Sequence, residues 1–141
     1  MSDAPVKGPL LQQTLVPIRW GDMDAMGHVN NILYLQYCEQ CRVEWKTRLG
    51  GMLDGTGQGM IVKKVAMTYH RPLVWPGVVE VRMFAGHVGR TSFTQHYELR
   101  LDGKGDELWA EGEAVVVWFD YTAHAPAPIP ANIRTLLAGG E

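Results

Sequence analysis

Two carboxylates, Asp22 and Asp24, stand in the stretch Asp22-Met23-Asp24-Ala25-Met26-Gly27-His28-Val29-Asn30-Asn31. A pair like this, just before a helix, has two readings. Asp commonly forms turns and caps the N–H groups that open a helix without intrahelical partners. The alternative is chemical: one carboxylate acts as base or nucleophile while the helix N-terminus, with its partial positive charge, polarises a carbonyl oxygen. Gly27, between Asp24 and Asn31, allows a tight turn that returns the carboxylate toward the first helical N–H groups. His28 lies in the same stretch, where it either holds a substrate carbonyl or hydrogen-bonds backbone.

Other chemistries fail on their own requirements. Read as a calcium loop, the stretch has Met26 at the fifth position and Leu33 at the twelfth, where oxygen ligands are needed. Cys38 and Cys41 have no second Cys or His pair at metal spacing, so no metal site is expected; they read as small buried hydrophobes with free thiols. No serine sits in a Gly-x-Ser-x-Gly setting. Gly55-Thr56-Gly57-Gln58-Gly59 precedes a strand and lacks the Lys-Ser/Thr of a phosphate-binding loop. Lys63, Lys64, Arg71, Arg82 and Arg90 fall on or between predicted strands, suited to solvated faces or to phosphate. Arg90, in a tight turn beside Thr91 and Ser92, stands out among them.

These residues need a scaffold, and hydrophobic periodicity supplies its outline. Residues 11–20 read as a first strand, with Pro17 marking an edge or a bulge. Asn30 and Asn31 suit the N-cap of a helix running from Ile32 to about Arg48. Tyr34, Tyr37, Cys38, Cys41 and Trp45 form its apolar stripe, and Gln36, Glu39, Gln40, Arg42 and Lys46 fill much of the other surface. Five glycines between 50 and 59 predict a mobile loop, suited to a gate. Four alternating stretches follow: Ile61, Val65, Met67 and Tyr69; Val79, Val81, Met83 and Ala85; Phe93, Tyr97, Leu99 and Leu101; then residues 108–119. Turn signals at 72–77, 89–90 and 102–105 predict short links between antiparallel neighbours, hence a meander. The Pro-rich residues 125–130 read as extended and 131–137 as terminal helical turns.

The sum is α+β: one long helix on a five-stranded antiparallel sheet, a single domain over 11–138 with tails at 1–10 and 139–141. One helix cannot cover every edge of that sheet, which predicts two-fold self-association. The 141 residues carry 13 Lys and Arg against 15 Asp and Glu, a net charge of −2, and are 46% apolar. That length buries a core without disulfide or metal staples. The charge gives no net pull toward nucleic acid or an anionic membrane. The first ten residues lack a signal-peptide core and the longest hydrophobic run, 114–119, is too short to span a bilayer, so a cytoplasmic protein is expected.

The run Asp22-x-Asp24-x-x-Gly27-His28-Val29-Asn30-Asn31-x-x-Tyr34, continued by Glu39 and Arg42, resembles the hotdog-fold acyl-CoA thioesterases of the 4-hydroxybenzoyl-CoA thioesterase type. Tyr69-His70-Arg71-Pro72, Trp75-Pro76-Gly77, Gly89-Arg90-Thr91-Ser92-Phe93 and the Pro-rich ending resemble later landmarks of that family. The resemblance implies a sheet wrapped around the helix, dimers or tetramers built from dimers by joining sheets, and active sites at the dimer interface. It implies Asp24 as the working carboxylate, general base or nucleophile, and the Asn31 backbone N–H as the group that polarises the thioester carbonyl. His28, Asn30 and Tyr34 would contact substrate; Arg90 is the leading phosphate contact, with Lys63, Lys64 and Arg71 behind it. No metal or bound cofactor is implied, since coenzyme A arrives as part of the substrate. The helix entrance differs from aryl-specific members, making aliphatic acyl groups at least as good candidates. Some hotdog enzymes use a Glu on the central helix, which keeps Glu39 in reserve. The rival readings are an acyl-thioester dehydratase and a non-catalytic acyl-CoA sensor acting through a partner.

Overall fold

A computed structural model describes residues 7–50 and 57–140. Strand β1 (Leu10–Pro17) leads through a short 3-10 turn (Trp20–Asp22) to helix α1 (Asn31–Arg48). Strands β2 (Gln58–Tyr69), β3 (Val78–Val88), β4 (Ser92–Leu101) and β5 (Ala110–Asp120) follow, then the short β6 (Ala125–Pro126) and helix α2 (Ala131–Leu137). The α+β class and the long helix are as expected. The first strand stops before residue 20 because the Arg19 N–H donates to the Asp22 carboxylate at 3.0 Å, bending the chain into the 3-10 turn. Pro17 closes β1 at the edge of the sheet, where its missing N–H costs no ladder bond.

The strand order is β1-β3-β4-β5-β2, with every pair antiparallel. A meander therefore exists only from β3 to β5. The expected turn at residues 72–77 is part of a crossover, since β2 pairs with β5 instead of β3. Leu73 explains why. It is fully buried, its N–H donates to the Tyr34 hydroxyl at 2.8 Å, and its carbonyl accepts from the Val29 N–H at 2.8 Å. The segment is thus tied beneath the helix entrance, and its Pro and Gly shape a tethered crossing. Tyr34→Phe leaves the buried Leu73 N–H without an acceptor and is expected to cost about 1–3 kcal/mol, read as a lower melting temperature by calorimetry.

The expected alternation of β2 is interrupted. A bulge lies between Val62 and Lys64, so Met60 faces Trp118 and Val62 faces Val116 before it, while Val65 faces Ala114 and Met67 faces Gly112 after it. One extra residue reverses the phase, and Val62 joins Val65, Met67 and Tyr69 on the helix side in place of Ile61. The glycine-rich loop expected over 50–59 lies partly outside the described residues, at 51–56. Its last part is strand, because Gln58 and Gly59 pair with Asp120 and Phe119.

Tyr34, Tyr37, Cys38, Cys41 and Trp45 are buried against Val79, Val81, Met83, Phe93, Tyr97 and Leu99, forming the core. Cys38 and Cys41 are unpaired, and burial pushes both thiols up, Cys41 to about 11. Arg42 and Lys46, expected on the outer surface, are buried as well. They continue the Cys38 row at four-residue steps, and their aliphatic stems extend the apolar stripe. The helix lies chiefly on β1 and β3. Consequently the inner face of β2 stays open: Val62 is 41%, Val65 45% and Tyr69 43% exposed. Among the described residues no helix is long and apolar enough to cross a membrane.

Candidate active site

The two carboxylates of the loop have separate fates. Asp22 is 3% exposed; its Oδ2 accepts from the Arg19 N–H at 3.0 Å and the Tyr37 hydroxyl at 2.7 Å, and its Oδ1 from Arg19 Nε at 3.1 Å. Burial raises its pKa, but the hydrogen bonds to Arg19 and Tyr37 outweigh burial and leave it below its ordinary value of 3.8. This carboxylate fixes the loop. Because the folded value is the lower one, its contribution is complete above pH 3.8 and is lost as pH falls through the folded value. Asp22→Asn is expected to cost about 2 kcal/mol at pH 7. Denaturation across pH should show that difference shrinking in acid, below the ordinary carboxylate range.

Asp24 is exposed. Its Oδ1 accepts from the Met26 N–H at 2.9 Å and, at 3.5 Å, from the His28 N–H, while its Oδ2 meets no donor among the described residues. The Asp24 N–H donates to the His28 carbonyl at 2.8 Å, and Gly27, at φ +79°, makes the reversal between them. Asn30 Oδ1 caps the helix by accepting from the Ile32 N–H at 3.2 Å, and the Leu33 N–H donates to the Asn30 carbonyl at 2.9 Å. The Asn31 N–H donates to no protein acceptor among the described residues. An 18-residue helix thus presents an open donor at its positive end, a few residues after a carboxylate one of whose oxygens meets no described donor.

Asp24, His28, Asn31, Tyr34, Tyr69 and Arg71 line a cleft of about 310 Å³. The Tyr69 hydroxyl donates to the Asn31 carbonyl at 2.9 Å, and its ring meets the Tyr34 ring edge-on with centroids 4.8 Å apart. In the sequence Tyr69 is an apolar strand position and part of the Tyr69-His70-Arg71-Pro72 landmark, with no site role assigned; its hydroxyl, where Phe would pack equally well, is the signal that points to one. Arg71 pairs with Glu107 at 2.6 Å and lies over the Trp109 ring, while His70 Nε2 contacts Glu111 at 2.8 Å. Tyr34 spends its hydroxyl on the crossover, and burial raises its pKa.

Three predicted residues lie apart. Lys63 sits at the β2 bulge, and Lys64 reaches Glu113 at 3.9 Å on the sheet face away from α1. Arg90 is in the β3–β4 turn, where its carbonyl accepts from Ile129 and Arg134. That turn adjoins the Ser92–Val117 end of the β4–β5 ladder, whereas Tyr69 pairs with Ala110 at the Leu99 end. The two ends are about 23 Å apart at roughly 3.3 Å per residue. One chain does not bring Arg90 to Asp24.

A second space of about 400 Å³ lies between α1 and β2, lined by Cys38, Glu39, Arg42, Val65, Met67 and Tyr97 among others. Cys38 is one turn beyond Tyr34, and Met67 precedes Tyr69 on the same strand face, so the two spaces run in line along the α1–β2 groove.

A sheet half-closed around one long helix is the architecture of the hotdog fold. Comparison with known proteins agrees. The Thioesterase-like superfamily profile matches residues 18–137, and the chain belongs to that family. The PA2801 protein of Pseudomonas aeruginosa is 38% identical, with a TM-score of 0.86 over 92% of this chain and 100% of that one. A Thermus thermophilus thioesterase, solved with coenzyme A and zinc, is 28% identical, with a TM-score of 0.78 over 94% and 97% of the chains. An Arabidopsis thaliana chloroplastic acyl-acyl carrier protein thioesterase, ATL3, is 28% identical over 84% of this chain, which spans 63% of that relative.

Proposed function

We propose that this chain hydrolyses an acyl-CoA thioester to a free acid and coenzyme A, with Asp24 as the reacting carboxylate. The observation that carries the reading is that Asp24, whose Oδ2 meets no described donor, and Asn31, whose N–H meets no described acceptor, line one cleft. The thioester carbonyl accepts from the Asn31 N–H, which stabilises the oxyanion as the carbonyl carbon becomes tetrahedral. Asp24 removes a proton from water as the water oxygen bonds that carbon; collapse breaks the C–S bond, and the thiolate leaves to take up a proton. Attack by Asp24 itself to form an anhydride uses the same geometry. No metal or bound cofactor enters the scheme. The acyl chain extends along the α1–β2 groove, and Arg71 at the cleft rim faces the coenzyme A portion.

The open inner face and free edge of β2 support a second copy joined there, giving a homodimer or a homotetramer built from dimers. A second catalytic reading is favoured by one feature. Glu39 is exposed, lines the α1–β2 space, and accepts no hydrogen bond from a described residue. Thiol release from short, medium, long and aromatic acyl-CoA substrates, measured on wild type, Asp24→Asn and Glu39→Gln, tests both. Loss confined to Asp24→Asn supports the first and loss confined to Glu39→Gln the second. Binding of acyl-CoA without turnover by wild type would make the chain a sensor, and release of an enoyl thioester from a 3-hydroxyacyl-CoA would make it a dehydratase.

A further inference from the structure

Arg42 is only 7% exposed, yet its guanidinium has a single protein partner, the Tyr97 hydroxyl at 3.0 Å from one terminal nitrogen. No carboxylate comes within ion-pair distance of it among the described residues. Lys46, one turn further along α1, is 5% exposed and makes no ion pair among the described residues; Glu39 is the carboxylate near enough to act on it, and burial still pushes its pKa down. Cations in such positions are nearly always paired, because an unpaired buried charge gives up its hydration for nothing. Arg42 is nevertheless held in place: the Tyr97 hydroxyl that accepts from it donates in turn to Gln95 Oε1 at 2.5 Å, and Gln95 is fully buried. This polar row crosses an apolar core, and Arg42 is its end in the α1–β2 space.

The walls between that end and the reaction cleft carry Leu35, Cys38, Val65 and Met67 on the two sides, and Glu39 and Glu113 line the same space. A chain whose thioester carbonyl lies at the Asn31 N–H would pass its methylene groups along these apolar residues and bring its far end to a fixed guanidinium. From Asn31 to Arg42 the helix advances about 16 Å. We infer that Arg42, steadied by Tyr97, is a specificity-determining anion site that selects acyl-CoA substrates ending in a second carboxylate. The inference rests on the thioesterase reading above. A carboxylate there forms the two-pronged contact that guanidinium geometry favours and restores the missing counter-charge. A terminal methyl group leaves Arg42 desolvated and unpaired.

The test compares hexanoyl-CoA with adipoyl-CoA, which match in chain length and differ in that end group, as kcat/KM from thiol release. Wild type is expected to favour adipoyl-CoA by about tenfold, roughly 1.4 kcal/mol. In Arg42→Gln the ratio should fall to near one; Arg42→Lys should retain part of the preference and Tyr97→Phe should weaken it. If wild type hydrolyses hexanoyl-CoA equally well or better, or if the adipoyl preference survives in Arg42→Gln, the anion site is wrong while the thioesterase reading stands. If wild type releases thiol from neither substrate nor from the wider panel, both readings fall. Should Arg42→Gln not fold, the wild-type ratio and Tyr97→Phe decide the matter: no wild-type preference, or one that Tyr97→Phe leaves intact, overturns the assignment.

Discussion

Asp24→Asn is expected to lower kcat by at least about 100-fold, the lower range for removing a general base, while melting temperature and oligomeric mass stay at wild-type values. The separation follows from the surroundings of Asp24. It is exposed, and among the described residues its side chain accepts from the Met26 N–H and, at longer range, the His28 N–H, both of which the Asn carbonyl oxygen can still accept. The amide keeps the turn and removes the base. Asp22→Asn should give the opposite pattern, with stability lost and turnover retained in the folded fraction, because Asp22 is committed to Arg19 and Tyr37 and does not line the cleft. If Asp24→Asn turns over at the wild-type rate, the chemistry moves to Glu39 in the adjoining space.

The different standing of these two carboxylates shows what the linear sequence could reveal. An Asp-x-Asp pair before a helix announces itself locally, as do the cap at Asn30 and the apolar spacing from Tyr34 to Trp45. Which Asp is structural depends on Tyr37, two turns into the helix, and on Arg19 ahead of the loop. The same division runs through the fold. Strands β3, β4 and β5 follow from alternation and tight turns, which are local signals. The place of β2 beside β5 rests on contacts made by Leu73 with Tyr34 and Val29, and no turn signal encodes a tether of that span. The bulge at Lys63 is likewise invisible to a strict two-residue period, although it decides that Val62 faces the groove. The groove exists because α1 sits off-centre over β1 and β3, a packing outcome with no counterpart in any one segment. Arg42 and Lys46 were legible as charges and illegible as buried ones, since burial came from the sheet curling around their stems.

The position of Arg90 leads to the second large effect. Its turn lies at the opposite end of the β4–β5 ladder from Tyr69 and the cleft. If Arg90 holds a coenzyme A phosphate, the phosphate must therefore belong to substrate reacting at a partner's Asp24. Pairing two copies through β2 edges supplies such an arrangement, because a two-fold axis reverses the strand and carries one chain's far end toward the other's near end. Arg90→Glu is then expected to raise KM for acyl-CoA at least about tenfold by replacing attraction to phosphate with repulsion, and Asp24→Asn to abolish turnover. Mixed one to one, unfolded and refolded together, these two deficient chains should recover about a quarter of wild-type activity at low substrate, since half the dimers are hybrids and each hybrid holds one intact site. The quantity to measure is thiol release before and after mixing, with mass determined alongside by light scattering. A monomeric mass, undiminished binding in Arg90→Glu, or no recovery from hybrids would each remove Arg90 from a shared site. Recovery would mean that a single chain is half an active site, with the acid and helix end from one copy and the phosphate contact from the other.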